Sequence, residues 1–247
     1  MLGFATYSPQ TNARLAGLFW LIVIAVSIVA VVANPTISLR GSPAETAASV
    51  LSVEGSYRLG FALLLFGGVL YLGVTALLYQ VLKPVSGSVA LFGALASLAG
   101  ITVGAASGVH QLGALALLHD AANATSVAAS QMQAIAQATF REDPAGFRMG
   151  MVYFGCHVAS TGYLILRSNF IPKIIGAILV AGGSSYFIAS FTSFLAPDVG
   201  AQLTPFVIPI ALLGEGSITL WLLIKGVDVE KWGHYATVAA PSRPTRM

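Results

Sequence analysis

Glu215 is an acid set between two glycines, inside a run of about twenty apolar residues from Pro205 to Ile224. That run is long enough to cross a hydrocarbon core ~30 Å thick. A charge at such depth costs on the order of 3 kcal/mol or more, so the group should face protein or water and have a partner. Counting 1.5 Å per residue from the outer end of its span puts Glu215 ~15 Å deep, near the midplane. His157 is about as many residues into its own apolar stretch, and His110 is about eight residues into another if that stretch ends at Leu118. An acid and an imidazole at one depth have the chemistry to pass a proton or hold a cation.

Three readings of Glu215, His157 and His110 stay open at the level of sequence. A buried His–Glu hydrogen bond, helped by Ser and Thr, would fix helix register, as polar pairs do in membranes for under about 1 kcal/mol. A proton- or cation-coupled transport site is the second. Pro205 and Pro209 free backbone carbonyls and Gly214 and Gly216 flank the acid, as in discontinuous transporter helices. A metal or haem site is the third, since two histidines and a carboxylate can hold zinc or iron. Arg58 and Arg148, at the outer ends of two spans, are candidates for contact with an anionic solute or lipid headgroup. The blander reading makes them interfacial anchors, like Trp20, Trp221 and Trp232. His119, Asp120 and His234 read as solvated. No phosphate loop, dinucleotide fingerprint, HExxH or serine elbow occurs, which excludes a conventional soluble-type catalytic domain.

The elements that must position these groups follow from composition. Of 247 residues, 56% are hydrophobic and 9% charged, and the mean hydropathy is +0.83. Soluble domains are about a quarter charged, so this is an integral membrane protein. One cysteine, Cys156, excludes an internal disulfide and a thiolate metal cluster. The expected fold is all-α: a six-span bundle with spans at about 14–33, 57–80, 88–118, 147–166, 174–195 and 205–224. The first is read as a retained span closed at Asn34-Pro35, because its apolar run exceeds the roughly 7–15 residues of a signal peptide. Ser42-Pro43-Ala44-Glu45 is a helix-start signature, predicting a short surface helix to about Glu54, ended by Gly55. Met132, Ile135, Ala136 and Phe140 predict an amphipathic helix in the loop before the fourth span. Gly100, Gly104 and Gly108 predict a face of close helix packing. The tail 233–247 reads as disordered.

Basic residues Arg14, Lys83, Arg167, Lys173, Lys225, Lys231, Arg243 and Arg246 fall on the side of the termini. Glu45, Glu54, Asp120, Glu142, Asp143 and Asp198 fall on the other. The positive-inside rule then places both termini in the cytoplasm. Short matches (Arg58-Leu59-Gly60 with Arg148-Met149-Gly150, LFGALASLAG with IIGAILVAGG) suggest that spans 2–3 and 4–5 repeat one hairpin.

LRSNFIPKIIGAILVAGG, the preceding FGCHVASTGYL and GEGSITLWLLIKGVDVEKW together resemble the bacterial membrane proteins grouped as domain of unknown function 4386. Arg58-Leu59-Gly60 and Leu82-Lys83-Pro84 fit the same family, and the resemblance covers roughly residues 12–232. It implies six helices in a bacterial cytoplasmic membrane and no assigned activity, with Arg58, His157, Gly162, Pro172, Glu215 and Lys225 as motif positions. Cys156, Ser160 and Thr161 stand where the family pattern has bulkier aliphatics. The expected function is transport or binding of a small solute, ion or lipid. A metal- or haem-dependent membrane enzyme or electron carrier, and a structural subunit of a membrane complex, are the alternatives. The expected partners are the lipid bilayer and a small solute or ion. Self-association stays open, while nucleic acid and a resident cofactor are not expected.

Overall fold

The computed structural model describes residues 8–33 and 39–239. Among these the chain is helical, without strands: α1 (Pro9–Ala33), α2 (Pro43–Ser52), α3 (Glu54–Leu82), α4 (Gly87–Ala121), α5 (Ser126–Arg167), α6 (Lys173–Leu195), α7 (Pro197–Ile224) and α8 (Val229–Ala239). Six of them, α1 and α3 to α7, are long and apolar enough to cross a membrane. Large apolar side chains stand exposed along them, including Leu64, Leu65, Phe66, Leu95, Phe187, Phe206 and Leu213. In water that surface would aggregate; in lipid it is solvated, and the chain is a multi-pass membrane protein.

Local chemistry explains the breaks. The Ser42 amide donates to Glu45 Oε2 at 2.7 Å and the Glu45 amide to Ser42 Oγ at 3.2 Å, the predicted capping box. These bonds hold the Glu45 carboxyl below the usual range, first through the Ser42 backbone and then through its side chain. Helix α2 stops at Ser52 and Gly55 lies inside α3, so Gly55 does not end the surface helix as expected. The predicted amphipathic helix and the fourth span are one continuous element, α5, rather than two. The tail forms α8 through Ala239, which corrects the expectation of disorder from residue 233. Asn34, Pro35 and residues 240–247, with Arg243 and Arg246, lie outside the described residues.

The chain divides into two compact units. One comprises Val23–Val69 and Gly100–Gly150. Its core gathers Val50, Tyr57, Leu115, Leu118, Ala136 and Phe140 from four helices, with Tyr57 edge-on to Phe140 at 5.9 Å. Gln137, buried, donates to Thr46 Oγ1 at 2.8 Å and to the Gly41 carbonyl at 2.9 Å.

The other unit comprises Met1–Ile22, Leu70–Ala99 and Met151–Met247. Here the helices meet backbone to backbone at glycines. A methyl group on Gly155 would lie 2.7 Å from the Gly183 carbonyl oxygen, and one on Gly162 would lie 2.7 Å from that of Gly176. Gly155/Gly162 on α5 and Gly176/Gly183 on α6 thus form an antiparallel seam, both pairs spaced by seven residues. Gly17 brings α1 equally close to Thr219 and Leu223 of α7. Such contacts suit lipid, where dispersion rather than water exclusion drives helix association. Helix α8 is tied down by Trp232 Nε1 donating to the Val81 carbonyl at 2.8 Å and the Tyr235 hydroxyl donating to that of Arg167 at 3.0 Å.

Candidate functional site

Close packing of α1, α5, α6 and α7 presents a polar centre built on Glu215. The Tyr186 hydroxyl of α6 donates to Glu215 Oε1 at 2.8 Å. The Trp20 indole N–H of α1 approaches Oε2 at 3.3 Å. Both oxygens therefore accept from neutral donors, and no cationic side chain pairs with Glu215 among the described residues. Glu215 itself is half-buried.

His157 is buried but is not bonded to Glu215. Its Nδ1 lies 2.9 Å from the Gly93 carbonyl oxygen of α4. A carbonyl only accepts, so Nδ1 carries the proton and Nε2 of a neutral ring is left as an acceptor. In place of the direct His–Glu hydrogen bond that one of the three readings invoked, there are two separate anchors and a bridge of aromatic rings. Trp20 meets Tyr71 edge-on at 5.6 Å, and Tyr71 meets His157 at 5.7 Å. From the other side Tyr186 meets Phe154 at 6.0 Å, and Phe154 meets His157 at 5.8 Å. The rings close a loop from the carboxylate to the imidazole along two routes.

Within this centre the Tyr71 hydroxyl and His157 Nε2 are buried without a hydrogen-bond partner, as is Thr219 Oγ1 one turn along α7 from Glu215. Unpaired buried polar atoms cost ~1–3 kcal/mol each, so several in one place need a reason. A cavity of about 10 Å³ adjoins His157, Ser160, Thr161 and Thr75, room for about one water molecule. Thr75 and Ser97 close its polar neighbourhood with a hydroxyl–hydroxyl bond of 2.7 Å.

The other predicted residues are placed elsewhere. His110 is exposed on α4, in the unit that does not hold Glu215. No group of three or more His, Cys, Asp or Glu gathers at metal-ligating distance among the described residues. Arg58 pairs with Glu54 at 2.6 Å, and Glu54 also receives His119 at 3.0 Å. His119 is exposed, as expected of a solvated residue, while making that pair. Arg148 is half-buried. Helix α7 stays helical through Pro205 and Pro209 rather than breaking beside the acid. The carbonyls those prolines leave free, at Ala201 and Pro205, lie more than a turn before Glu215.

Sequence reasoning missed Trp20 and Tyr186. Trp20 reads as an interfacial anchor but is fully buried, and Tyr186 sits in an aromatic-rich span with no spacing that singles it out.

Over 78 residues the chain is 30% identical to an uncharacterized protein of Archaeoglobus fulgidus. The match takes in 32% of this chain and 44% of that relative, so the chain spans less than half of the relative's length. No solved structure matches it. The match of a family model over residues 15–226, nearly the whole membrane-spanning region, shows that the chain belongs to the family described as Domain of unknown function (DUF4386).

Proposed function

We propose that this protein binds a small solute, ion or lipid within the membrane and carries it across, with Glu215 as the proton- or cation-responsive group. The observation that carries this reading is a mid-span carboxylate whose partners are two neutral donors, next to buried Tyr71, His157 and Thr219 atoms with no partner. A carboxylate serving only as glue would be met by a full set of donors, and its neighbours would be satisfied. Unfilled donor and acceptor positions suit a group that alternately gains and loses a proton, cation or polar ligand. The charge distribution supports both termini in the cytoplasm and a location in the cell membrane.

The test is proton movement into proteoliposomes under an imposed potential, read by an enclosed pH dye. Glu215→Gln keeps an acceptor for one donor and is expected to lower thermal stability by only a few degrees while abolishing Glu215-dependent proton uptake. Wild-type uptake in the variant would overturn the proposal. A second reading, a purely structural tie, draws on the bonds from α1 and α6 that converge on α7. It expects a large stability loss in Glu215→Gln with uptake equal to that of the wild type.

A further inference from the structure

A second site lies away from Glu215, where α6 begins and α7 ends. An open pocket of about 580 Å³ is lined by the loop residues Asn169 to Pro172, by Trp221, and by Lys173, Lys225, Asp228 and Lys231. Three lysines against one aspartate leave a surplus of two positive charges there. Asp228 is already engaged: its Oδ2 pairs with Lys231 Nζ at 3.0 Å and its Oδ1 accepts from the Lys231 amide at 3.1 Å. Those bonds, led by the Lys231 side chain, hold its carboxyl below the usual range. Lys173 and Lys225 have no acidic partner among the described residues.

Two further features point to an anion. Helix α6, 23 residues long, starts after Pro172 with no side chain capping its first amides; the Ile175 amide bonds back to the Pro172 carbonyl at 3.1 Å, and the positive end of the helix dipole is left beside the lysines. The Trp221 indole N–H is buried and has no acceptor. The surplus of lysine charge and the unpaired indole N–H both favour an anion. The wall is also set by backbone geometry: Gly226 takes φ +70, which only glycine adopts freely. Gln10 then bridges the turn, donating to the Lys225 carbonyl at 2.9 Å and accepting from the Val227 amide at 2.9 Å.

We infer that this pocket binds a phosphate-bearing anion, and that its source is the headgroup of an anionic lipid. The pocket lies at the ends of two membrane spans, the level at which headgroups sit. The residues next to its lysines, Ile174 and Ile224, are 66% and 63% exposed, apolar surface on which acyl chains can lie. Basic pockets between helices at a membrane surface bind such headgroups. Trp221 supplies the remaining donor to a phosphate oxygen, and the lysines the charge.

The experiment uses the full chain in detergent and reads quenching of its three tryptophans by brominated lipids. Brominated phosphatidylglycerol is expected to quench with an apparent affinity about tenfold or more tighter than brominated phosphatidylcholine. The double variant Lys173→Gln/Lys225→Gln should erase that preference, Lys173→Arg/Lys225→Arg should keep it, and Trp221→Phe should remove the selective part of the quench. Circular dichroism checks that each variant stays folded. Equal quenching by the two lipids, or a preference that survives the glutamine pair, overturns the site. Inorganic phosphate that shifts Trp221 emission while the two lipids quench alike would assign the pocket to a free anion and overturn the lipid source.

Discussion

Two sets of glycines at regular spacing have opposite fates. On α5 and α6, Gly155, Gly162, Gly176 and Gly183 face backbone atoms at 2.5 to 2.7 Å from where a Cβ would stand. On α4, the more conspicuous Gly100, Gly104 and Gly108 do not form one contact face. A Cβ on Gly150 of α5 would lie an ordinary 3.4 Å from the Gly100 carbonyl oxygen and 4.0 Å from the Gly104 amide, one on Gly104 would meet nothing within 4 Å, and one on Gly108 would meet the Phe61 ring. The seam that matters is the one that sets the polar centre, since α5 carries Phe154 and His157 and α6 carries Tyr186. A Cβ on Gly155 would also touch Tyr186 Cβ at 3.2 Å. Small-residue spacing permits close approach; the partner helix decides whether it happens.

The sharpest break of this comparison is Gly162→Leu. The new side chain would run into the Gly176 carbonyl, the Val180 amide and Leu179 Cβ, all within 2.9 Å of its first carbon. Backbone cannot step aside as a side-chain tip can. The expected outcome is loss of monodisperse folded protein in detergent. Gly162→Ala is milder: overpacking of about 1–3 kcal/mol is offset by up to ~1 kcal/mol of helix propensity. A lowering of Tm by roughly 5 °C follows, measured by thermal unfolding followed at the helical circular dichroism band. An unchanged Tm would show that α5 and α6 can separate without cost.

Gly108→Ala sits between the extremes. Its obstacle is the half-buried Phe61 ring, which can turn. The cost should be under about 1 kcal/mol once propensity is counted, a Tm shift of no more than ~3 °C.

The contrast also explains what the sequence makes legible. Span number, helical class and the Ser42/Glu45 cap are written in local patterns: apolar run length, proline position, a four-residue box. That Glu215 stands inside a long apolar helix is readable because it needs only residue counting. Its partners are not, because the Trp20–Glu215 bond joins residues 195 apart and no periodicity links them. Tryptophan near a span end fits an interfacial anchor as well as a buried donor, and only the tertiary fold separates the two. The His157–Glu215 pair fails for a related reason. Counting residues along each span does not fix the face of each helix, and His157 turns to Gly93 instead. The α5–α6 seam does leave a signal, glycines seven apart on both helices. It is less obvious than the four-residue spacing on α4, where Gly104 meets open space.

The smallest effect is expected at Gly104. Its would-be Cβ meets open space, so Gly104→Leu adds a side chain to exposed helix surface, and helix propensity favours the change by up to about 1 kcal/mol. Stability should be unchanged or slightly higher, and the oligomeric state by light scattering in detergent should be that of the wild type. An exposed glycine in a lipid-facing helix is also what a second membrane chain would need for close approach. Loss of a wild-type oligomer in Gly104→Leu, with Tm retained, would therefore make α4 an interface between chains. That result would erase the contrast between the two glycine sets, since both would then be seams, one closed within the chain and one closed by a partner.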